Sequence, residues 1–239
     1  MAGTPGKARS KSAETAARGK SPKGEKARAR LKASALAVLE DVGYHKMRIT
    51  DVTANAGMAS GLFYHYFKDL KSLTLEVLQD FVSASLQVEE IERDVPKGDW
   101  YGRMYAHNRL VVQAYAERPG IMRALLQLAD EDEDFSKLLR ENFIRQLTWL
   151  TTQMPRLFPE AKLSKHQAMM VVYTLAGTGE TVLRDYFMNR EPALMTKRLS
   201  VDEVTELISV MFYRGLFLEN PPAQQRKYTA NLTAMRKSR

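Results

Sequence analysis

The feature that most constrains this 239-residue chain is the stretch of residues 48–67, RITDVTANAGMASGLFYHYF. It predicts two short helices joined by a tight turn. Thr50 and Asp51 are residue types that begin helices, and Gly57 can adopt the positive φ that a turn requires. The second helix, which starts near Ser60, is crowded with groups that hydrogen-bond or stack. Two short helices that cross over a turn of this kind have the geometry of a helix-turn-helix that reads DNA.

This stretch resembles the N-terminal domain of the TetR family of bacterial transcriptional regulators. The family signature is a glycine-containing turn followed by Gly-x-Leu/Phe-Tyr-x-Tyr/His-Phe, and here Gly61 precedes the run FYHYF at residues 63–67. The likeness extends over residues 27–81 and includes the sequence KDLKSL at residues 68–73. It implies an all-α fold. In that fold an N-terminal three-helix DNA-binding domain with a helix-turn-helix precedes a larger helical domain for ligand binding and dimerisation.

The resemblance and the side-chain chemistry together indicate ten residues that contact DNA. Ser60 and Leu62 are expected at base edges, where the leucine can touch only a thymine methyl group. Arg48 stands where the family usually has a capping side chain, so Thr50 is expected to cap the first helix, and Ala59 likewise leaves Ser60 to cap the second. The predicted DNA-binding residues are Arg48, Thr50, Ser60, Gly61, Leu62, Tyr64, His65, Tyr66, Lys68 and Lys71.

The net charge of the chain is concentrated at its N-terminal end. Residues 1–32 contain ten Lys and Arg and two Glu, a net charge of +8 that equals the formal charge of the whole chain. A basic tail beside DNA-reading helices suggests a polyanionic partner, because each phosphate contact releases counterions. A solvated tail without defined contacts is the alternative. Residues 1–24 are poor in large apolar side chains and are expected to be disordered when free.

Apolar residues recur at helical spacing through the rest of the chain, and no stretch alternates as a strand does. Proline, glycine and capping residues divide the pattern. Helices are predicted from Glu25 to Gly43, from Asp69 to about Glu92, over residues 99–117 and 121–129, from the acidic run 130–134 to a loop between Pro155 and Pro159, from Ser164 to Asn189, and over residues 201–218. The predicted units are a basic tail (1–24), a helix-turn-helix domain (25–70), an effector-binding and dimerisation domain (71–220) and a polar basic C-terminal tail (221–239).

The last two long helices are the predicted dimer interface. One helix-turn-helix contacts few base pairs, so operator affinity usually comes from a dimer that spans half-sites about 34–36 Å apart. The resemblance implies that these helices pair across a two-fold axis as a four-helix bundle, although the same residues could face their own subunit's core. The predicted dimer residues are Gly177, Thr178, Val182, Leu207, Ile208, Met211, Phe212 and Gly215.

The middle helices are the expected place for a small-molecule effector. The resemblance alone implies a hydrophobic or amphipathic ligand, and such sites are apolar cavities with few polar groups. Methionine and aromatic residues at helical spacing suit an ordinary core equally well. The predicted ligand-binding residues are Met104, His107, Asn108, Met122, Leu126, Phe143, Leu147, Met170, Tyr173, Thr174 and Glu180.

These features predict a sequence-specific transcriptional regulator, most simply a dimeric repressor that a small ligand releases from a palindromic operator. In that mechanism the ligand tilts the helix that begins after Asp69 and changes the separation of the two recognition helices. Two alternatives stay open. One is an activator of the same fold, and the other is a ligand-independent DNA-organising protein that uses the basic tail.

The sequence lacks the patterns of several other classes of protein. It has no glycine-rich phosphate loop, nucleophile elbow or His-x-x-x-His cluster, so no enzymatic activity, metal or cofactor is expected. It contains no cysteine, which excludes disulfides and fits a reducing compartment. Without a long apolar run or a secretory signal, we expect a cytoplasmic protein with no membrane-spanning helix.

Overall fold

Helices make up almost all of the secondary structure in the computed structural model, which describes residues 21–84 and 93–235. No strand occurs in those two ranges, which confirms the predicted all-α fold. The helices are α1 (Pro22–Val42), α2 (Ile49–Asn55), a short recognition helix (Ser60–His65), α3 (Leu70–Ala84), α4 (Trp100–Glu117), α5 (Pro119–Glu131), α6 (Glu133–Leu157), α7 (Lys165–Leu183), α8 (Val201–Phe217) and α9 (Ala230–Thr233). A π-helical turn, Arg184–Asn189, continues α7.

The first helix begins earlier than predicted because Ser21 caps it. The Ser21 hydroxyl accepts a hydrogen bond from the Gly24 backbone N–H at 3.1 Å. Pro22 fits the first turn, where its missing N–H costs no helical hydrogen bond. The helix ends at Gly43 as predicted, with φ of 75°. Of the predicted tail, residues 1–20 lie outside the described ranges.

The N-terminal helices surround a single core. Leu31 and Leu39 of α1, Val52 of α2 and Leu73 and Leu78 of α3 are all almost completely buried. Burial of a side chain of this size contributes roughly 1.5–3 kcal/mol. Packing of the long helices therefore holds the two short helices of the DNA-reading motif in place.

The helix α5 belongs to this core as well. Ile121, Ala124 and Leu128 of α5 and Phe135 at the start of α6 are buried in the same cluster as α1 and α3. The DNA-reading helices and α5 therefore share one hydrophobic core. The remaining helices, α4, α7, α8 and the rest of α6, form two further clusters around Val112, Val172 and other buried side chains.

Two predicted helix boundaries are wrong. Pro155 does not bracket a loop, because α6 continues through it to Leu157. The proline lies near the C-terminal end of the helix, so it removes only one late hydrogen bond. The helix predicted over residues 121–129 extends from Pro119 to Glu131. The predicted end of the helix after Asp69 falls in residues 85–92, outside the described ranges.

The predicted serine caps of the last two long helices are confirmed. Ser164 accepts from the Gln167 N–H at 3.2 Å and donates its own N–H to the Gln167 side chain at 3.0 Å. Ser200 and Glu203 form the same reciprocal pair, at 3.2 and 2.8 Å. This capping box satisfies two backbone donors at each helix start.

The C-terminal segment folds back onto α8 around a buried carboxylate. Glu206 is only 2% exposed and accepts hydrogen bonds from the N–H groups of Lys227, Tyr228 and Thr229 at 2.8, 2.6 and 2.7 Å. The Thr229 hydroxyl adds a fourth at 2.8 Å. Burial opposes ionisation of Glu206, but these donors outweigh it and hold the pKa of the carboxyl below its ordinary value.

None of the helices in residues 21–84 and 93–235 has both the length and the apolar character needed to cross a membrane.

Candidate DNA-reading surface and ligand cavity

The turn between α2 and the recognition helix has the predicted conformation. Gly57 adopts φ of 60°, and its N–H donates to the Ala54 carbonyl at 2.9 Å. The next N–H, of Met58, donates to the Thr53 carbonyl at 2.8 Å. Met58 itself is half-buried and packs against the N-terminal core. The turn is closed by its own backbone and is fixed to the core by one side chain.

Both predicted capping assignments in the motif are wrong. Arg48 takes the N-cap position of α2, and its N–H donates to the Asp51 carboxylate at 3.1 Å. Thr50 is therefore inside the helix. Ala59 takes the N-cap position of the recognition helix without a side-chain cap, and Ser60 Oγ instead lies 3.2 Å from the Thr53 hydroxyl.

The recognition helix is a short 3₁₀ helix that separates inward from outward side chains. Phe63 is fully buried, and Phe67, just beyond the helix, is 4% exposed. Leu62 and Tyr64, beside Phe63 in sequence, are 42% and 64% exposed. The buried phenylalanines hold the backbone to the core, so the leucine and the tyrosine project toward any molecule bound at this surface.

The predicted DNA-binding residues differ in how accessible they are. Most of them have exposed side chains or, for the glycine, an exposed backbone, and Tyr66 is half-buried. A carbon atom at the Cβ position of Gly61 would meet no other atom within 4 Å, so this backbone is open to close approach. The exposed residues of the set are Arg48, Thr50, Ser60, Gly61, Leu62, Tyr64, His65 and Lys68.

Lys71 is engaged within the protein. Its ammonium lies 2.7 Å from the Asp132 carboxylate and 2.8 Å from the Asp134 carboxylate at the start of α6. These two hydrogen-bonded pairs raise the pKa of Lys71 above its ordinary value, and the lysine lowers the pKa of Asp132. A lysine held in this way ties α3 to α6, so we remove Lys71 from the phosphate-binding set.

Two carboxylates link α1 and the adjoining turn to α5. Glu40 of α1 accepts hydrogen bonds from the backbone N–H groups of Gly120 and Ile121 at 3.0 and 2.8 Å. It thereby caps the N-terminus of α5 from another element. Any side chain at position 120 would collide with the Glu40 backbone, which explains the glycine there. On the opposite end of α5, Glu131 lies 3.2 Å from the His45 ring.

An apolar cavity of about 160 Å³ lies among α3 to α8. Its volume is comparable with that of cavities of about 150 Å³ that hold a benzene-sized molecule. Phe81 and Val82 of α3 and Leu125 of α5 form its wall toward the DNA-reading helices. The predicted residues that line it are Met104, His107, Asn108, Met122, Phe143, Leu147 and Glu180.

Four predicted ligand-binding residues do not line the cavity. Leu126 lies in α5 outside the lining, and Met170, Tyr173 and Thr174 are exposed on α7. Helical spacing explains the error for α7, because its lining residues recur at 172, 175, 176, 179, 180 and 183. The three exposed residues therefore fall on the opposite face of the same helix.

The sequence interpretation missed several side chains that line the cavity. Tyr115 lies seven residues, about two helical turns, after the predicted Asn108 and shares its face of α4, whereas Trp149 lies only two residues after Leu147 and falls on a different face of α6. Their apolar neighbours made them look like ordinary core. Asn142 is less easily found, because a single asparagine in an amphipathic helix usually lies on the solvent side.

Few polar groups line the cavity. The Tyr115 hydroxyl donates to the Glu180 carboxylate at 3.2 Å, and Asn108 donates to the Ser209 hydroxyl at 3.0 Å. Burial, followed by the neighbouring Glu180 carboxylate, raises the pKa of Tyr115 above its ordinary value, so the phenol remains a donor. Within residues 21–84 and 93–235, the buried side-chain oxygen of Asn142 has no hydrogen-bond partner.

The predicted dimer residues divide into two groups. Ile208 and Phe212 line the cavity, and Ile208 is only 7% exposed, so both face their own subunit. Met211, in contrast, is 53% exposed. Gly215 is exposed as well, yet a side chain there would collide with Leu175, so its small size permits α7 and α8 to pack together. Gly177 and Val182 are half-buried, and so is Leu207; Thr178 is exposed.

The DNA-reading segment matches a known family. The family model described as "Bacterial regulatory proteins, tetR family" matches residues 31–77, which include the second half of α1, the turn and the recognition helix. No protein with curated annotation matches the chain in sequence.

Solved structures share the fold over most of the chain. A transcriptional regulator from Rhodococcus sp. RHA1 is 18% identical, covers 79% of this chain and 96% of its own, and superposes with a TM-score of 0.59. A TetR-family transcriptional regulator from Bordetella parapertussis is 16% identical, with coverages of 80% and 96% and a TM-score of 0.58. The fatty acid degradation regulator FadR from Bacillus halodurans is 14% identical, with coverages of 82% and 96% and a TM-score of 0.57. At these identities the likeness establishes the fold.

The predicted resemblance is thus confirmed, and the family is one of regulators rather than enzymes. The DNA-reading segment of this chain thus matches the tetR family of bacterial regulatory proteins, and the chain as a whole has the fold that solved TetR-family regulators share.

Proposed function

We propose that this protein is a dimeric repressor that a small hydrophobic or amphipathic ligand releases from a palindromic operator. The observation that carries the proposal is that α3 and α5 belong to the cavity and to the DNA-reading core at once. Val82 and Leu125 are buried in the core that holds the recognition helix, and both line the cavity. A ligand in the cavity therefore touches the same side chains that position the reading surface.

The exposed surface of the recognition helix supports DNA binding. Leu62 and Tyr64 project from a backbone that buried Phe63 anchors, and Arg48, His65 and Lys68 are exposed as well. Apolar contact suits a thymine methyl group, and cationic side chains suit phosphates. The surface has both kinds of group that a DNA reader requires.

The release mechanism follows from this connection. Ligand binding favours whichever arrangement of α3 and α5 leaves the larger or better-matched cavity. Since Phe81 and Val82 lie on α3, a shift there moves the recognition helix at the other end of the same packed unit. In a dimer, a change in the separation of two recognition helices loses contacts in both half-sites at once. The ligand can shift this equilibrium only by its preference for one state, typically about 1–3 kcal/mol.

An apolar face on α7 and α8 supports the dimer. Met170, Tyr173 and Met211 are 53%, 47% and 53% exposed, and Val171 is 36% exposed. Exposed apolar side chains on two helices that pack against each other are candidates for an interaction surface. The dimer residues that we now propose are the exposed Met170, Val171, Tyr173 and Met211. Ile208 and Phe212 are assigned to the cavity wall.

The test is selection of fragments from sheared genomic DNA by the purified protein at about 150 mM salt, where nonspecific phosphate contacts are weakened. We expect enrichment of a palindrome by the wild type and its loss with Tyr64→Ala. Tyr228→Ala, which truncates a tyrosine of comparable exposure (42%) in the C-terminal segment, is the control and should select the same palindrome. Recovery of fragments without a motif would contradict the proposal and favour DNA organisation by the basic tail.

A promoter-fusion assay then separates repression from activation. With the selected palindrome placed upstream of a reporter gene, a repressor lowers expression, and the ligand restores it. Higher expression in the presence of the protein would identify an activator of the same fold instead.

A further inference from the structure

We infer that the ligand is a hydrophobic amine, and that Glu180 and Asn142 bind its cationic group inside the cavity. This inference rests on the proposed function, since it assigns a chemical class to the ligand of the same cavity. It starts from the charges of the lining, which differ in kind from those of a site that accepts a carboxylate.

The lining carries a negative charge and no permanent positive one. Among the described residues that line the cavity, Glu180 is the only one with a carboxylate, and none is lysine or arginine. His107 is the one lining side chain that can become cationic, and its ring is stacked on Trp149 with centroids 4.8 Å apart. An anionic ligand would therefore be buried beside a carboxylate without a guanidinium or ammonium partner, which is costly.

The Glu180 carboxylate is available to a ligand. Within the described part of the chain, the Tyr115 hydroxyl donates a hydrogen bond to its Oε1 at 3.2 Å. The arginine one turn later, Arg184, lies outside the lining and pairs with Asp185, with 3.9 Å between Nε and Oδ1. A half-buried carboxylate with one neutral donor retains unused acceptor capacity, because each carboxylate oxygen can accept more than one hydrogen bond.

Asn142 provides an independent observation. It lines the cavity from α6, and its buried side-chain oxygen has no hydrogen-bond partner among the described residues. A buried acceptor without a partner is uncommon in a folded protein and is unfavourable. A ligand that supplies N–H donors removes this cost. Both observations thus favour a ligand with donors, and the carboxylate additionally favours one with a positive charge.

The rest of the lining suits a compact hydrophobic body. The cavity of about 160 Å³ is bounded by apolar side chains that include Phe143, Trp149 and Leu147. Aromatic faces also attract a cation that lies against them. A primary ammonium has three donors, which is enough for Glu180 and Asn142 together. The fitting ligand is an aromatic or branched aliphatic amine rather than a long acyl chain with a carboxylate.

The experiment compares three probes of matched size by titration calorimetry in the absence of DNA. The probes are 3-phenylpropylamine, 3-phenylpropan-1-ol and 3-phenylpropanoate, which differ mainly in the charge of one terminal group. We expect the amine to bind at least about tenfold more tightly than the alcohol, since a charged hydrogen bond is worth about 1.5–3 kcal/mol. The carboxylate should bind most weakly.

Two variants assign that preference to named side chains. Glu180→Gln should remove most of the advantage of the amine and leave the affinity of the alcohol unchanged. Asn142→Leu should reduce the affinity of the amine without lowering the stability of the free protein, because the unpaired oxygen is removed. Glu191→Gln changes an exposed glutamate outside the cavity and should leave all three affinities as in the wild type.

The outcomes separate this inference from the proposed function. Equal binding of amine and alcohol, tighter binding of the carboxylate, or an amine preference that survives Glu180→Gln would overturn the assignment of a cationic ligand. The cavity would still bind a small molecule in those cases, so a ligand-released repressor would stand. Absence of binding by any probe at millimolar concentration would contradict the ligand cavity itself and this inference with it.

Discussion

Neighbouring residues of the recognition helix have opposite environments, and this determines which of them can be changed without unfolding the domain. Phe63 is completely buried, whereas Tyr64 is 64% exposed and Gly61 has open space at its Cβ position. Truncation of the phenylalanine removes core contacts, as large-to-small changes in a core do. Changes at the exposed positions should alter DNA affinity alone.

The two glycines of the motif provide a matched pair of substitutions. Gly57 has φ of 60°, and a Cβ atom there would lie 3.1 Å from the Arg30 guanidinium. Gly57→Ala should therefore destabilise the protein by about 1–2 kcal/mol, the cost of the left-handed conformation for a residue with a side chain. Gly61→Ala should leave the unfolding free energy nearly unchanged and weaken operator binding, because its backbone faces outward.

Urea unfolding and fluorescence anisotropy with a labelled operator measure the two effects separately. If Gly61→Ala bound the operator as tightly as the wild type, close approach of that backbone to DNA would be excluded. If Gly57→Ala were as stable as the wild type, the turn would not require its positive φ.

At the scale of helices, sequence patterns predicted most helices and the caps of two of them, but not the caps within the helix-turn-helix motif. The long helices α1, α7 and α8 follow from apolar spacing, and Ser164 and Ser200 follow from their glutamine and glutamate three residues later. The predicted caps of α2 and of the recognition helix were wrong. In α2, the carboxylate of Asp51, which lies inside the helix, accepts a hydrogen bond from the Arg48 N–H. A capping partner inside the helix is not distinguishable from an ordinary first-turn acid in sequence alone.

The contact between α1 and α5 is a second feature that the sequence could not reveal, because Glu40 and Gly120 are 80 residues apart. Glu40→Gln replaces a charged acceptor of two N–H groups by a neutral one at a helix N-terminus. We expect a loss of about 1 kcal/mol in unfolding free energy. We also expect weaker coupling between ligand and DNA binding, because α5 is less firmly joined to α1.

Thermal unfolding and the change in operator affinity at saturating ligand measure these two expectations. Glu160→Gln, at an exposed position after α6, is the control. Unchanged stability of Glu40→Gln would mean that the carboxylate makes no net contribution at this helix end.

The buried Glu206 gives the C-terminal segment a pH-dependent anchor. Its pKa is lower in the folded protein than in the unfolded chain. The resulting stabilisation is thus fully present above the unfolded pKa and is lost as pH falls through the folded one. At pH 7 we expect Glu206→Gln to be less stable than the wild type by about 1.5–3 kcal/mol, because charge-assisted hydrogen bonds are lost.

Denaturant unfolding of both proteins between pH 7 and pH 3 tests this expectation. The two unfolding free energies should converge as the wild-type carboxyl becomes protonated. A difference that stays constant over the whole range would show that the loss arises from packing and not from the charge.

For the whole molecule, the sequence predicted the all-α fold, but it did not predict which apolar residues of α7 and α8 line the cavity and which are exposed. In both α7 and α8, apolar residues occur on the face toward the cavity and on the opposite, exposed face. Periodicity alone therefore did not show which face is internal. Ile208 and Phe212 proved to line the cavity, whereas Met170 and Tyr173 proved to be exposed. Only the packing of α7 and α8 against α4 and α6 distinguishes the two faces.

The exposed face leads to a prediction about assembly. Met211→Lys should shift the protein from dimer to monomer, because an ammonium would be buried at the proposed interface. Ile144→Lys, at an apolar position of α6 that is 38% exposed, is the matched control and should remain dimeric. Sedimentation velocity measures the assembly, and operator affinity should fall together with the dimer. A Met211→Lys variant that is still dimeric would place the interface elsewhere.

The most direct test of the account is a measurement of linkage between cavity and operator. The affinity of the operator is determined without and with a saturating amount of the tightest phenylpropyl probe, and the affinity of that probe without and with saturating operator. We expect each ligand to weaken the other by the same factor, roughly 5- to 150-fold, as reciprocal coupling requires. A probe that binds the cavity and leaves operator affinity unchanged would contradict the claim that α3 and α5 connect the two sites.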